Sequence, residues 1–138
     1  MSRINNVILI DDDEMFNFIN VKTMEKVSFA QHVKTFDNAT AALDELRIIS
    51  SSNQHEFPDI IFLDINMPEM NGWEFLDELT KFSEVLLEHC KIYMLTSSID
   101  QNDIKKSKDY KMVNDFISKP LTPRRLQLLS AESLLIGK

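Results

Sequence analysis

Short apolar runs alternate five times with longer segments of helical period along this chain. That alternation is the pattern of a parallel sheet whose strands are joined by crossover helices, so it predicts an α/β, doubly wound, five-stranded architecture. The predicted strands are Val7 to Ile10, His32 to Phe36, Ile60 to Leu63, Ile92 to Leu95 and Asp115 to Ser118. The first, third and fourth are continuously apolar, as strands buried on both faces should be, and the second and fifth read as edges. Between the second and third, Ala39, Ala42, Leu43, Leu46 and Ile49 form one helical stripe, with Asp37 or Asn38 placed to cap its start. Phe75, Leu76, Leu79 and Phe82 make a similar stripe after Gly72, and Thr122-Pro123 reads as cap and first residue of a last helix through Leu126 and Leu129 towards Leu135. The first helix, from about Glu14 to Val27, carries apolar residues on more than one face, so part of that surplus is expected at the surface.

Composition narrows the class. A length of 138 residues with 43% apolar content is one ordinary domain with a proper core, expected to span 1–138 with its core at about 5–135 and to carry no separate output module. The formal charge of −7 disfavours broad attraction to nucleic acid or anionic membrane, and no apolar stretch reaches membrane length. Cys90 is the sole cysteine, which rules out an intramolecular disulfide and accords with a reducing, cytoplasmic setting. Arg124-Arg125 is read as a solvated helix face, and Asn38-Ala39-Thr40, a sequon by letters, as a helix start.

The chemistry lies at the ends of the strands, where open α/β sheets place it. Asp11, Asp12 and Asp13 leave the first strand, Asp64 ends the third, Thr96 follows the fourth and Lys119 the fifth. At about 4 Å and an effective dielectric near 20, two carboxylates repel by roughly 4 kcal/mol, so such a cluster takes up protons or a cation. The offered ligands are all oxygens, which favours a hard ion such as Mg2+ over Zn2+. A lysine and a hydroxyl beside them make sense if a phosphoryl group joins the metal, with Asp64 as the nucleophile that becomes an acyl phosphate.

These residues resemble the receiver domains of two-component response regulators from Val7 to about Leu129. The most specific piece is Phe62-Leu63-Asp64-Ile65-Asn66-Met67-Pro68-Glu69-Met70-Asn71-Gly72; Leu95-Thr96-Ser97-Ser98 and Phe116-Ile117-Ser118-Lys119-Pro120 match in order and spacing. The resemblance implies a flavodoxin-like (βα)5 fold with strand order 2-1-3-4-5. It implies Asp64 as phosphoacceptor, Asp11 and Asp12 as the acidic pair for Mg2+, the Asn66 carbonyl as a further ligand, and Thr96 and Lys119 as receivers of phosphoryl oxygens. Phe116 falls at the switch aromatic, Asn66 and Ser98 at positions that tune phosphate lifetime, and the Lys119-Pro120 peptide is expected to be cis. The implied donor is a sensor histidine kinase or histidine phosphotransfer protein. The reader is a separate downstream protein, and the state is a monomer or a phosphorylation-dependent dimer.

The chain departs from that pattern where Met112 stands in place of a glycine before the final strand, so the preceding helix must end without an easy left-handed cap. Phe82 to His89 is longer than the third helix needs, and a loop or extra turn is expected there. His89-Cys90 lacks a second pair and is not read as a metal site, and Met67, Met70, Met94 and Met112 are read as packing. Trp73, opening the third helix beside the site, is a candidate partner contact. The rival class is a phosphohydrolase of the haloacid-dehalogenase type, with Asp11 as nucleophile, Asp13 two residues on, and Thr96 and Lys119 in its later motifs. It leaves Asp64 unexplained and offers only Glu132 as a downstream acid. With Gly72 and Gly137 as the only glycines, no phosphate-cradling glycine loop exists to support a nucleotide switch.

Overall fold

The structure, a computed structural model, describes residues 4–136, and for 133–136 the backbone only. Five parallel strands, β1 (Asn6–Ile10), β2 (His32–Phe36), β3 (Ile60–Asp64), β4 (Lys91–Thr96) and β5 (Val113–Ser118), lie in the order β2-β1-β3-β4-β5. The helices are α1 (Glu14–Lys26), α2 (Ala39–Ser52), α3 (Gly72–Leu79), α4 (Glu84–Glu88), α5 (Gln101–Ser107) and α6 (Pro123–Ile136).

Strand periodicity explains why the sheet is covered twice. Ile8, Ile10, Ile61, Leu63, Ile92 and Met94 point to one side and meet Ala42, Leu43 and Leu46 of α2 with Phe75, Leu76 and Leu79 of α3. Their neighbours Val7, Leu9, Ile60, Phe62, Tyr93 and Leu95 point to the other, against Met24 of α1 and Leu126 and Leu129 of α6. Burying each of the Val, Leu, Ile, Phe and Met side chains among these is worth about 1.5–3 kcal/mol relative to exposure, so a one-residue slip in any central strand would forfeit both layers. The edges are β2, with an exposed-to-intermediate pattern, and β5, as the polar content of their sequences required.

The helix starts follow local chemistry. Asn38 caps α2 by accepting from Ala41 N at 2.8 Å, and Asp100 caps α5 by accepting from Asn102 N at 2.7 Å. Thr122 Oγ1 accepts from Arg125 N at 3.1 Å, and Pro123 opens α6, which continues past Leu135, whose side chain lies outside the described residues, as does Gly137. Met15, Phe18 and Ile19 of α1 are exposed, so the apolar surplus of that helix is surface.

Three boundaries differ from the hydrophobic pattern. α3 stops at Leu79, while Phe82 still packs on the core from the following turn, and the extra segment forms α4. Met112 is reached through successive turns, with Tyr110 N donating to Ser107 O at 2.9 Å and Val113 N to Tyr110 O at 3.1 Å. The described non-glycine residues with positive φ are Ser28 and Glu69, so this crossover is built without a left-handed residue at Met112. β5 then begins earlier than its apolar letters suggest, because a bulge absorbs Asn114, whose Oδ1 accepts from Ile92 N at 3.3 Å.

Candidate functional site

β1, β3, β4 and β5 end at the same edge of the sheet, and their terminal residues converge there. Asp11 is fully buried just beyond β1, its backbone N donating to Phe36 O of β2 at 3.1 Å. Its Oδ1 accepts from Asp13 N at 2.9 Å, and its carbonyl accepts from the buried Asn17 Nδ2 at 2.8 Å. These contacts shape the acidic turn. Asp64 ends β3, also buried, with Asn66 N donating to its Oδ1 at 3.3 Å. Asp12 is exposed, and oxygens from Asp11, Asp12 and Asp64 lie within 4.8 Å of one another.

Lys119 closes the site from β5. Its Nζ stands 2.7 Å from Asp11 Oδ2 and 3.3 Å from Asp64 Oδ1, its backbone N donates to Thr96 O at 2.9 Å, and the Lys119-Pro120 peptide is cis, as expected. Thr96 is buried at the end of β4, where its hydroxyl donates to Ser98 O at 2.8 Å and accepts from Ser98 N at 3.2 Å. Phe116, opposite Met94 in the β4–β5 ladder, is half-buried with its ring centroid 6.4 Å from that of Trp73. Asn66 is exposed in the turn after Asp64.

Electrostatics reflect that crowding. Burial first, then the charge of Asp11, push the Asp64 carboxyl up to about 6, while Lys119 pulls the other way. Burial works against the Lys119 ammonium, yet Asp11 and then Asp64 hold it above the ordinary lysine value. Three carboxylates against one ammonium leave two negative charges in a partly dry place. Lys119 Nζ, at 2.7 Å, offsets the charge on the buried Asp11 Oδ2, and among the described residues no second donor to that oxygen accompanies it. The charge surplus and the all-oxygen donor set together fit a hard divalent cation.

Other candidates fall elsewhere. Asp13 turns its Oδ1 to Phe16 N at 3.1 Å and caps α1, so its carboxylate is used in the helix start and does not join the acidic group that the phosphohydrolase reading requires. Trp73 is 5% exposed, its ring tilted against that of Tyr110 with centroids 5.4 Å apart, which makes it a packing residue rather than an open contact. His89 is exposed and Cys90 buried, pointing apart, and burial followed by the charge of Asp59 raises the Cys90 thiol well above its ordinary value. Two buried residues escaped the sequence reading: Asn17, described above, and Asn20, whose Oδ1 accepts from Leu121 N at 3.3 Å. The available signal was two asparagines one helical turn apart among the apolar residues of α1.

Comparison with known proteins settles the family. The sequence model of the response regulator receiver domain matches residues 7–130. This chain belongs to that family. A two-component response regulator from Cytophaga hutchinsonii, solved by crystallography, superposes with a TM-score of 0.86 at 31% identity, covering 96% of this chain and 98% of its own. The hybrid signal transduction histidine kinase C of Dictyostelium discoideum is 31% identical over 132 residues, 89% of this receiver but 10% of the kinase. The probable methanogenesis regulatory protein FilR2 of Methanothrix harundinacea is 23% identical over 116 residues, 84% of this receiver and 72% of that protein. The receiver thus matches a whole solved chain in one case and a small part of a much longer kinase in another.

Proposed function

We propose that this receiver accepts a phosphoryl group on Asp64 from a phosphohistidine, carried by a sensor histidine kinase or a histidine phosphotransfer protein, and signals to a separate partner. The observation that carries the reading is Lys119, whose ammonium reaches both Asp11 and Asp64 at the edge where Thr96 also ends its strand. An Asp64 oxygen forms the new O–P bond as the N–P bond of the donor breaks, the electron pair remaining on the departing imidazole. Lys119 offsets the charge of the phosphoryl oxygens. Asp11, Asp12, Asp64 and the Asn66 carbonyl would hold Mg2+, which supplies further charge neutralisation when bound.

Signalling follows from two groups that already have alternatives. The Thr96 hydroxyl is held by Ser98 and would exchange that partner for a phosphoryl oxygen. Phe116, half-buried beside Trp73, would follow the hydroxyl inward, so the change at the strand ends reaches the β5 face. In this reading the chain is a signalling domain rather than a turnover enzyme and works in the cytoplasm beside its donor. Among the described residues no helix is long and apolar enough to cross a membrane. Transfer of radiolabel from phosphohistidine donors tests the reading: the wild type is expected to take label in Mg2+, and Asp64→Asn to take none. Label retained in Asp64→Asn refutes it.

A further inference from the structure

Lys119 has a demanding place, since one ammonium serves Asp11 at 2.7 Å and Asp64 at 3.3 Å while its side chain remains 21% exposed. A four-carbon lysine stem carries little directional preference of its own, and solvent competes for the ammonium. The direction comes from α1. The ring of Phe16 lies under the Lys119 Nζ, 4.7 Å from its centroid, within the range at which an aromatic face attracts a cation. Phe16 is half-buried and packed on the core between the sheet and α1, so its ring is a fixed surface rather than a swinging one. One turn further along the helix, the fully buried Asn20 holds the backbone of Leu121, two residues past the lysine.

We infer that Phe16 is a positioning residue for Lys119: its ring face keeps the ammonium between Asp11 and Asp64 and shields it from water, while Asn20 fixes the loop behind it. A leucine of similar bulk would cover the same stem but offer no negative face, and the ammonium would then sample solvent. A tyrosine would keep the face. The inference rests on Asp64 being the phosphoryl acceptor, and the test separates the two.

Phe16→Leu and Phe16→Tyr are compared with the wild type in the full chain, with phosphoramidate as donor and Mg2+ at saturation. Phe16→Leu is expected to slow labelling of Asp64 by about three- to tenfold, and Phe16→Tyr to stay within about twofold of wild type. Mg2+ affinity, read from the shift in melting temperature, is expected to hold in both, because the three carboxylates are untouched; a general loss of structure would weaken it together with the rate. In the unlabelled protein, NMR is expected to find the Lys119 ε-methylene protons moved upfield by the ring in wild type and Phe16→Tyr, and at free-lysine positions in Phe16→Leu. Wild-type labelling rates in Phe16→Leu, or free-lysine shifts in the wild type, overturn the inference. So does a joint loss of rate and Mg2+ affinity in Phe16→Leu that Phe16→Tyr fails to rescue. A wild-type chain that takes no label refutes Asp64 as acceptor instead, and the Lys119 signals are still read on their own.

Discussion

Asp64 is ionised at neutral pH against the preference of its surroundings, because burial and the neighbouring Asp11 raise its carboxyl from the ordinary aspartate range to about 6. A carboxyl whose folded pKa lies above its unfolded one binds its proton more tightly in the fold. Its contribution to stability is therefore full below about pH 4 and is lost as pH rises through 6. Without divalent ions, Asp64→Asn is expected to be more stable than wild type at pH 7.5, by up to about 3 kcal/mol if the whole shift is recovered. That advantage should shrink as pH falls through 6 and be gone near pH 4, which denaturant unfolding at a series of pH values will measure. A constant difference across the series would mean that the carboxylate is not under this strain. The same residues show what could be read early: each strand-end side chain was legible as a polar residue closing an apolar run. The approach of the Lys119 ammonium to both Asp11 and Asp64 depends on atoms from distant parts of the chain.

α3 joins the site to the core through its first turn. Asn71 and Glu74 form a reciprocal cap, Glu74 N donating to Asn71 Oδ1 at 2.9 Å and Asn71 N to Glu74 Oε1 at 3.0 Å. Gly72 follows directly, and a Cβ there would stand 2.7 Å from the Asp64 carbonyl oxygen and 3.0 Å from Ile65 Cα, both backbone. Asn71→Ala is thus expected to cost about 1 kcal/mol in unfolding experiments while labelling of Asp64 continues. Gly72→Ala should cost about 1–3 kcal/mol and also impair labelling, because the strand end carrying Asp64 must move to admit the methyl group. Equal labelling in the two variants would show that the junction yields without disturbing the carboxylate. Element types and most starts were legible from period and capping residues. The surplus length of Phe82 to His89 already announced an extra turn, which is α4; the end of α3 and the bulge at Asn114 were not legible, because each is decided by what packs against the segment rather than by its own letters.

Across the whole molecule, the acidic edge stores repulsion that a bound cation would relieve only in the folded state. Mg2+ is therefore expected to raise the melting temperature, by the equivalent of about 2.7 kcal/mol at a hundredfold excess over its dissociation constant. Asp11→Asn should lose most of that response, and a wild-type melt indifferent to Mg2+ would remove the metal from the site. Such a response requires β1 and β3 to be adjacent, although Asp11 and Asp64 are far apart in sequence. The continuous apolar character of Val7 to Ile10, Ile60 to Leu63 and Ile92 to Leu95 already demanded a sheet covered on both sides, and the polar residues closing those runs already marked its chemical edge. What periodicity cannot express is which face of one element meets which residue of another. Asn20 and Leu121 are separated by 101 positions, Trp73 is covered by Tyr110 and Phe116, and Phe16 reaches the ammonium of Lys119. The sequence by itself determined the class of fold and the residues available to the site. Tertiary structure alone decided how those residues are held, because burial and hydrogen-bond partners belong to contacts between distant segments and not to any one of them.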